Sequence, residues 1–321
     1  ILAAARRAGI DIPAMCADPR MKPTGECELC NVVLDGQKDH VKACMTVAEE
    51  GMTVETENSE LKGLRKDRLN TYLTDHNAYC QPPCTDACPA GIDIAGYIDL
   101  ILQKDYAGST ALIKEMLPLP GVLGRVCPRP CEDLCRRIQI DGNPVAICSL
   151  KRFAADKAAE SELPTQPEPK PETGNRVAVV GAGPTGLSAA YYLALEGHKV
   201  MLLEAEKKAG GMLRFGIPPY RLPNGVLDQE INDILSLGVE LKTDQKMGRD
   251  YQIDTLKDQG FDAVYLSIGA KVAKPARIPG DDAEGVMSAI KFLADVNWNE
   301  AVDVRKRVIV IGGGFTAADA V

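Results

Sequence analysis

The chain has 321 residues, 45% hydrophobic and 26% charged, with a formal net charge of −8. That length allows two or three domains with ample apolar core, so disulfides are not needed for stability, and the acidic balance gives no basic face for nucleic acid. No apolar run approaches the eighteen residues a membrane-spanning helix needs.

In chain order, ILAAARRAG reads as a short amphipathic helix rather than a secretory signal, so a reducing, cytoplasmic setting is expected for the eleven cysteines. Cys16, Cys27, Cys30 and Cys44 follow in the pattern C-x10-C-x2-C-x13-C. Structural zinc usually takes two mirrored close pairs, whereas this single tight pair, flanked by one distant thiol on each side, fits a two-iron cluster better. The loop DPRMKPTGECELC carries Pro19, Pro23 and Gly25, which suits a chain curling with its amides toward sulfur, and NVVLDG then alternates like a strand ending in a turn. The charged stretch LKGLRKDRL reads as a solvated helix face.

A second cysteine group opens with CQPPCTDACPAG, in which Cys80, Cys84 and Cys88 are spaced by four. GRVCPRPCEDLCRR repeats the step with Cys127, Cys131 and Cys135, and Cys148 follows on CSLKRFAAD. Helical stretches join the two loops, which could fold together around two four-iron clusters. Two such clusters need eight ligands, and this group has seven cysteines. Residues 162–175, with prolines at 164, 167, 169 and 171, read as an extended linker and a domain boundary.

Beyond the linker, RVAVVGAGPTGLSAAYYLALEGHKVMLLEAE is a strand, the glycines Gly181, Gly183 and Gly186, an amphipathic helix and a second strand ending at Glu204. In this βαβ setting Gly181 makes the turn, Gly183 admits a pyrophosphate, Gly186 lets helix approach strand, and Glu204 can accept hydrogen bonds from a ribose. RVIVIGGGFTAADAV begins a second nucleotide unit with a strand and Gly312, Gly314 and Ala317. No acid–base triad is expected, because the chemistry implied is electron transfer.

Three resemblances follow from these motifs. ARRAGIDIPAMC, CELC and KACMTVAEEGM resemble the ferredoxin-type domain of complex I, iron-only hydrogenase and formate dehydrogenase subunits. That family has a β-hairpin before the first helix, so a chain starting at Ile1 is expected to be a fragment. Residues 62–157 resemble the helical domain shared by the glutamate synthase small subunit and dihydropyrimidine dehydrogenase. AGGMLRFGIPPYRLP and FDAVYLSIGA resemble the flavin-lining segment and the buried return strand of the glutamate synthase small subunit family.

The resemblances imply a multidomain α+β and α/β fold: a ferredoxin-like (β-grasp) 2Fe-2S domain over 1–61, a helical two-cluster 4Fe-4S domain over 62–161, and, after the linker, a Rossmann-like FAD-binding domain over 176–305 with the start of an NAD(P)H-binding domain at 306–321. They imply crossed ligation, with Cys80, Cys84 and Cys135 on one 4Fe-4S cluster and Cys88, Cys127 and Cys131 on the other. Cys148 is read as a ligand of the second cluster or a small core residue, and His76 as a ligand of the first or a surface residue. Gly211 and Arg214 are placed along FAD and Gly269 in the turn that returns to it. The function implied is NAD(P)H:acceptor oxidoreduction, with NADPH or NADH and a partner of hydrogenase, formate dehydrogenase or glutamate synthase large-subunit type, and the piece by itself is expected to lack activity. The alternatives are a glutamate synthase small subunit proper and a non-catalytic zinc-binding scaffold.

Overall fold

The computed structural model describes residues 1–19, 22–75, 81–161 and 163–321. Cys80 and His76 lie outside the described residues. The chain divides into two compact units, Ile1–Pro82 with Arg136–Pro144, and Pro83–Cys135 with Val145–Val321.

The first unit opens with helix α1 (Leu2–Arg7), which buries Leu2 and Ala5 against Ile12, Cys30, Val32, Leu34 and Ala43. Strands β1 (Asn31–Leu34), β2 (His40–Lys42) and β3 (Val54–Glu55) form an antiparallel sheet with β1 in the centre. Asp35 and Gly36 both have positive φ, the conformation a tight turn after β1 requires. The sequence predicts alternation along β1, but all four of its residues are buried, as a central strand covered on both faces must be.

The cover includes helix α2 (Ser59–Asp75), whose N-terminus is capped by Asn58 Oδ1 accepting from the Leu61 N–H at 2.8 Å. The expected domain boundary at 61/62 falls inside α2, which belongs wholly to the first unit. Nor is α2 only a solvated face. Arg65 donates to the carbonyls of Leu29, Asn31 and Thr56 at 2.8–3.0 Å, and Arg68 pairs with Glu28 at 2.7 Å. With only Leu61 buried, this helix is held more by its arginines than by an apolar stripe.

The second unit begins with α3 (Pro83–Ala87), α4 (Ile94–Leu102), α5 (Tyr106–Met116), α6 (Pro120–Val126) and α7 (Pro130–Asp133); α8 (Ile138–Asp141) is a single turn of the first unit, and α9 (Ile147–Ala159) completes the helical region. Asp93 and Asp105 cap α4 and α5 by accepting from Gly96 and Gly108 N–H. The helices close on Ile92, Ile94, Tyr97, Ile113, Leu117 and Ile147, and the Tyr97 hydroxyl donates to the Ile147 carbonyl at 2.7 Å. At Gly124 a side chain would meet the Arg152 backbone at 2.7 Å, so glycine is what lets α6 lie on α9.

The rest of this unit is a parallel sheet of order β6-β5-β4-β7, made of β4 (Arg176–Val180), β5 (Lys199–Leu203), β6 (Glu240–Lys242) and β7 (Ala263–Leu266). Around it lie α10 (Pro184–Leu195), α11 (Met212–Phe215), α12 (Asn224–Leu235), α13 (Ile253–Asp258), α14 (Ala289–Asn297) and α15 (Phe315–Ala320).

Three expectations are corrected. β7 is not buried: among the described residues it pairs only with β4, and Tyr265 and Leu266 stand 42% and 50% exposed. Residues 307–311 form no strand, because no described strand lies beside them to complete a ladder, and Ile309 and Ile311 are 89% and 76% exposed. The proline-rich segment is not a free spacer. Thr165 is buried, and Lys170 and Thr173 N–H donate to the Leu195 and Gly197 carbonyls, laying the segment along α10.

Candidate functional site

In the first unit, the loop before β1 and the end of β2 bring Cys16, Cys27, Cys30 and Cys44 together. The Cys44 N–H donates to Cys30 Sγ at 3.5 Å. Burial, the hydrogen bond to Cys30 and the charges of Cys30, Cys16 and Cys27 push the Cys44 thiol up to about 12. Burial also raises Cys16, but hydrogen bonds involving Cys27, Thr24 and Gly25 outweigh it and bring that thiol down to about 7. Four thiolates so placed repel one another unless a cationic core divides their charge. Among the described residues no three His, Cys, Asp or Glu close around a single-ion position; a binuclear core, with its ligands shared between two irons, tolerates a wider set. The thiol donor set and the Arg65 clamp on the neighbouring carbonyls fit a 2Fe-2S cluster.

In the second unit, Cys84 feels the charge of Cys135, whereas Cys131 is pushed up to about 11 by burial and by Cys127 and Cys88. These are neighbours that the crossed ligation implied by the resemblance would place on shared clusters. Arg129 adopts φ 65°, and its N–H donates to Cys127 Sγ at 3.4 Å; the Val145 N–H donates to Cys135 Sγ at 3.4 Å. Such amide–sulfur bonds hold and tune cluster sulfur. Cys148 is buried at the start of α9, feels Cys127, and donates to the Leu123 and Gly124 carbonyls at 3.5 and 3.4 Å. All ten described cysteines are free.

The nucleotide cradle lies where β4 runs into α10. Gly181 has φ 102°, and a Cβ there would strike the Ser267 carbonyl, so only glycine makes this turn. A Cβ on Gly186 would fall on the Gly181 carbonyl oxygen. Gly211, at φ 52°, brings the following loop so close that its Cβ would lie 2.7 Å from Gly183 Cα.

Glu204, buried after β5, accepts from the Ala182 N–H at 2.8 Å and the Glu206 N–H at 2.9 Å. A carboxylate has about four acceptor positions, so capacity remains for ribose hydroxyls. Arg214 is buried, with its donors taken by the Ala209 carbonyl and Asp228, so it shapes the loop rather than presenting a free cation. Gly269, at φ 69°, follows Ser267, whose hydroxyl donates to the Val180 and Gly181 carbonyls. Gly312, at φ 137°, has Ala317 3.4 Å from its Cβ direction, and Gly314 caps α15 without a flanking strand.

Polar contacts tie the helical region to the nucleotide region within this unit. Glu230 of α12 accepts the Gly121 and Val122 N–H groups at 2.5 and 2.9 Å, capping α6, whose own N-cap, Leu119, has no side chain for the task. Burial pushes the Glu230 carboxyl up to about 7. Lys114 donates to Asp233 at 2.7 Å and to Thr165 at 2.8 Å, and the Tyr191 hydroxyl to the Lys114 carbonyl at 2.9 Å. Sequence reasoning passed over Glu230, Lys114, Ser267 and Arg65. Glu230 carried one signal: it shares the spacing of Leu227, Ile231 and Ile234, an acid on an apolar helix face.

Family models match almost the whole chain: a 2Fe-2S iron-sulfur cluster binding domain over residues 1–59, dihydropyrimidine dehydrogenase domain II, 4Fe-4S cluster, over 69–163, and pyridine nucleotide-disulphide oxidoreductase over 175–320. The NADPH-Fe(3+) oxidoreductase subunit beta of Geobacter sulfurreducens is 42% identical over 267 residues, 81% of this chain and 39% of that protein. The NADP(+)-dependent formate dehydrogenase subunit beta of Moorella thermoacetica is 39% identical over 76% of this chain and 38% of its own length. The glutamate synthase [NADPH] small chain of Mycobacterium tuberculosis is 35% identical over 74% of this chain and 51% of its own length. The chain thus spans about two fifths of the first two relatives, and all three are named as parts of larger assemblies. It carries 2Fe-2S, 4Fe-4S and pyridine nucleotide-disulphide oxidoreductase domains in succession, and is similar to these oxidoreductase subunits over 74–81% of its length.

Proposed function

We propose that the chain is an NAD(P)H:acceptor oxidoreductase module that passes electrons between a nicotinamide, FAD and a series of iron-sulfur clusters, to or from a partner subunit, in the cytoplasm. Nicotinamides exchange two electrons as hydride, clusters exchange one, and a flavin does both, so it belongs between them. In this reading the domains are those expected from the sequence, with the helix Ser59–Asp75 assigned to the first. Cys16, Cys27, Cys30 and Cys44 hold the two-iron site. Cys84, Cys135 and Cys80 serve one four-iron site, and Cys88, Cys127, Cys131 and Cys148 the other. Gly181, Gly183, Gly186, Glu204 and Gly211 cradle the FAD pyrophosphate and ribose. A partner of the hydrogenase, formate dehydrogenase or glutamate synthase large-subunit type would give or take the electrons.

The observation that carries the reading is the capping of α6 by Glu230. It fixes the helix that ends at Cys127 on the region bearing the nucleotide cradle, as electron exchange between the two requires. No helix among the described residues is long and apolar enough to cross a membrane.

The test is anaerobic purification of the full-length protein, with metal analysis, flavin extraction and paramagnetic resonance after reduction by NADPH or NADH. About ten irons per chain, little zinc, bound FAD and both cluster signals are expected. Zinc as the major metal would refute the electron-transfer reading and restore the scaffold alternative.

A further inference from the structure

The segment that carries Gly211 and Arg214 ends on a fixed backbone: Leu222 is 1% exposed, and its N–H and that of Arg221 both donate to the Pro218 carbonyl at 3.0 Å. From that backbone the Arg221 guanidinium forms an ion pair with Asp319 and lies 5.1 Å over the Phe315 ring. Phe315 and Asp319 are four residues apart on α15 and share one side of it, so a single arginine holds the helix at two points. The Asp319 side chain is 7% exposed, which shields the pair from screening by salt, and its carbonyl accepts from the Tyr220 hydroxyl at 3.4 Å.

A second grip lies on the other side of the Gly312 turn. Asn297, the last residue of α14, donates from its side-chain amide to the Phe215 carbonyl at 2.8 Å and the Ile217 carbonyl at 3.4 Å, and α14 packs against both α11 and α15. The glycines from Gly312 to Gly314 are thus bracketed by Asn297 before them and Asp319 after them, and both hold the one segment 215–221. Hydride transfer between two nucleotide units asks for such a fastening, because the reacting atoms must come within about 3–3.5 Å and a misplacement of about 1 Å costs about 100-fold in rate.

We propose that Asp319, together with Asn297, is a positioning residue that clamps the second nucleotide unit onto the flavin-lining segment and so sets the approach of nicotinamide to flavin. The inference rests on the proposed function, in which the Gly181 turn holds FAD and the Gly312 turn holds the nicotinamide nucleotide. In the step served, the nicotinamide loses a hydride with its electron pair, the flavin gains both, and no further reactant enters. Asp319 touches neither group; it acts through Arg221 and the backbone that bears it.

The test is anaerobic stopped-flow reduction of the full-length protein and of its Asp319→Asn and Asn297→Ala variants by NADPH and NADH. FAD and iron contents, nicotinamide affinity and the long-wavelength absorbance of nicotinamide stacked on flavin are measured alongside. Asp319→Asn keeps the shape and removes the charge, and Asn297→Ala releases the other grip without touching the ion pair. Each should keep wild-type FAD, iron and nicotinamide affinity, while the limiting rate of flavin reduction falls about 10- to 100-fold and the stacking absorbance weakens. Reduction of the clusters by dithionite, which needs no nicotinamide, should not change. An unchanged limiting rate and absorbance in either variant would overturn the inference. So would a loss seen only as weaker nicotinamide affinity, which would place the residue in the nucleotide site itself, or a loss of FAD, which would make it a support of the flavin site. If Asp319→Asn does not fold, Asn297→Ala decides by the same readouts. Failure of both nicotinamides to reduce the flavin of the wild-type protein would instead refute the proposed function, a result distinct from any difference between variants.

Discussion

Replacing Glu230 with glutamine should change how stability depends on pH, by an amount the structure sets. The carboxyl is buried and accepts two backbone N–H groups, with the Lys114 ammonium favouring its ionised form and Asp233 opposing it. Its pKa moves from the ordinary 4.5 to about 7, so keeping it ionised in the folded protein costs about 3 kcal/mol. Below pH 4.5 it is protonated in both folded and unfolded chains, and there is no cost. Between 4.5 and 7 the folded state holds the proton and the unfolded state has lost it, so stability falls as pH rises; above 7 the fall is complete. Glutamine does not titrate, but its amide N–H₂ turns one donor toward another and leaves one buried N–H unpaired, at about 1–3 kcal/mol. Urea unfolding of protein and variant in parallel cancels everything that titrates in both. The stability of the wild type relative to the variant should fall by about 2 kcal/mol between pH 5.5 and pH 8. A relative stability that is flat or grows with pH would refute the assignment of a protonated, capping Glu230.

Three further outcomes are expected. Glu204→Ala should weaken FAD retention by about 1–3 kcal/mol with iron content unchanged, because it removes a charge-assisted acceptor from the ribose position; flavin occupancy equal to wild type would count against that position. Gly186→Ala should yield protein with its clusters but little flavin, since a methyl group cannot share space with the Gly181 carbonyl; extraction of stoichiometric FAD would show that the cradle lies elsewhere. Arg65→Met should lower the temperature at which the two-iron signal is lost and leave the four-iron signals in place, because one hydrogen bond to a charged group is worth about 1.5–3 kcal/mol and Arg65 makes three; an unmoved transition would mean that α2 is held by other contacts.

The local chemistry of this protein was written in its sequence. C-x2-C and the four-residue cysteine steps, G-x-G-x-x-G before an amphipathic helix, and the turn at Asp35-Gly36 each depend on residues close together in the chain, and short-range sterics and sulfur chemistry act at that range. Glu204 was legible for the same reason, since the end of β5 is carried back beside the glycine turn by a single helix.

Tertiary structure alone decided the rest, because it depends on groups far apart in sequence. A carboxylate 109 residues away caps α6, and an arginine in an apparently solvated run fastens α2 to carbonyls 34 and 36 residues back. The apolar runs of β7 and 307–311 show the converse. Their composition predicts buried strands, yet burial needs neighbours on both sides, and the described chain places only β4 beside β7 and no strand beside 307–311. Hydrophobic patterning states what a segment can bury; only the packed partner determines whether it does.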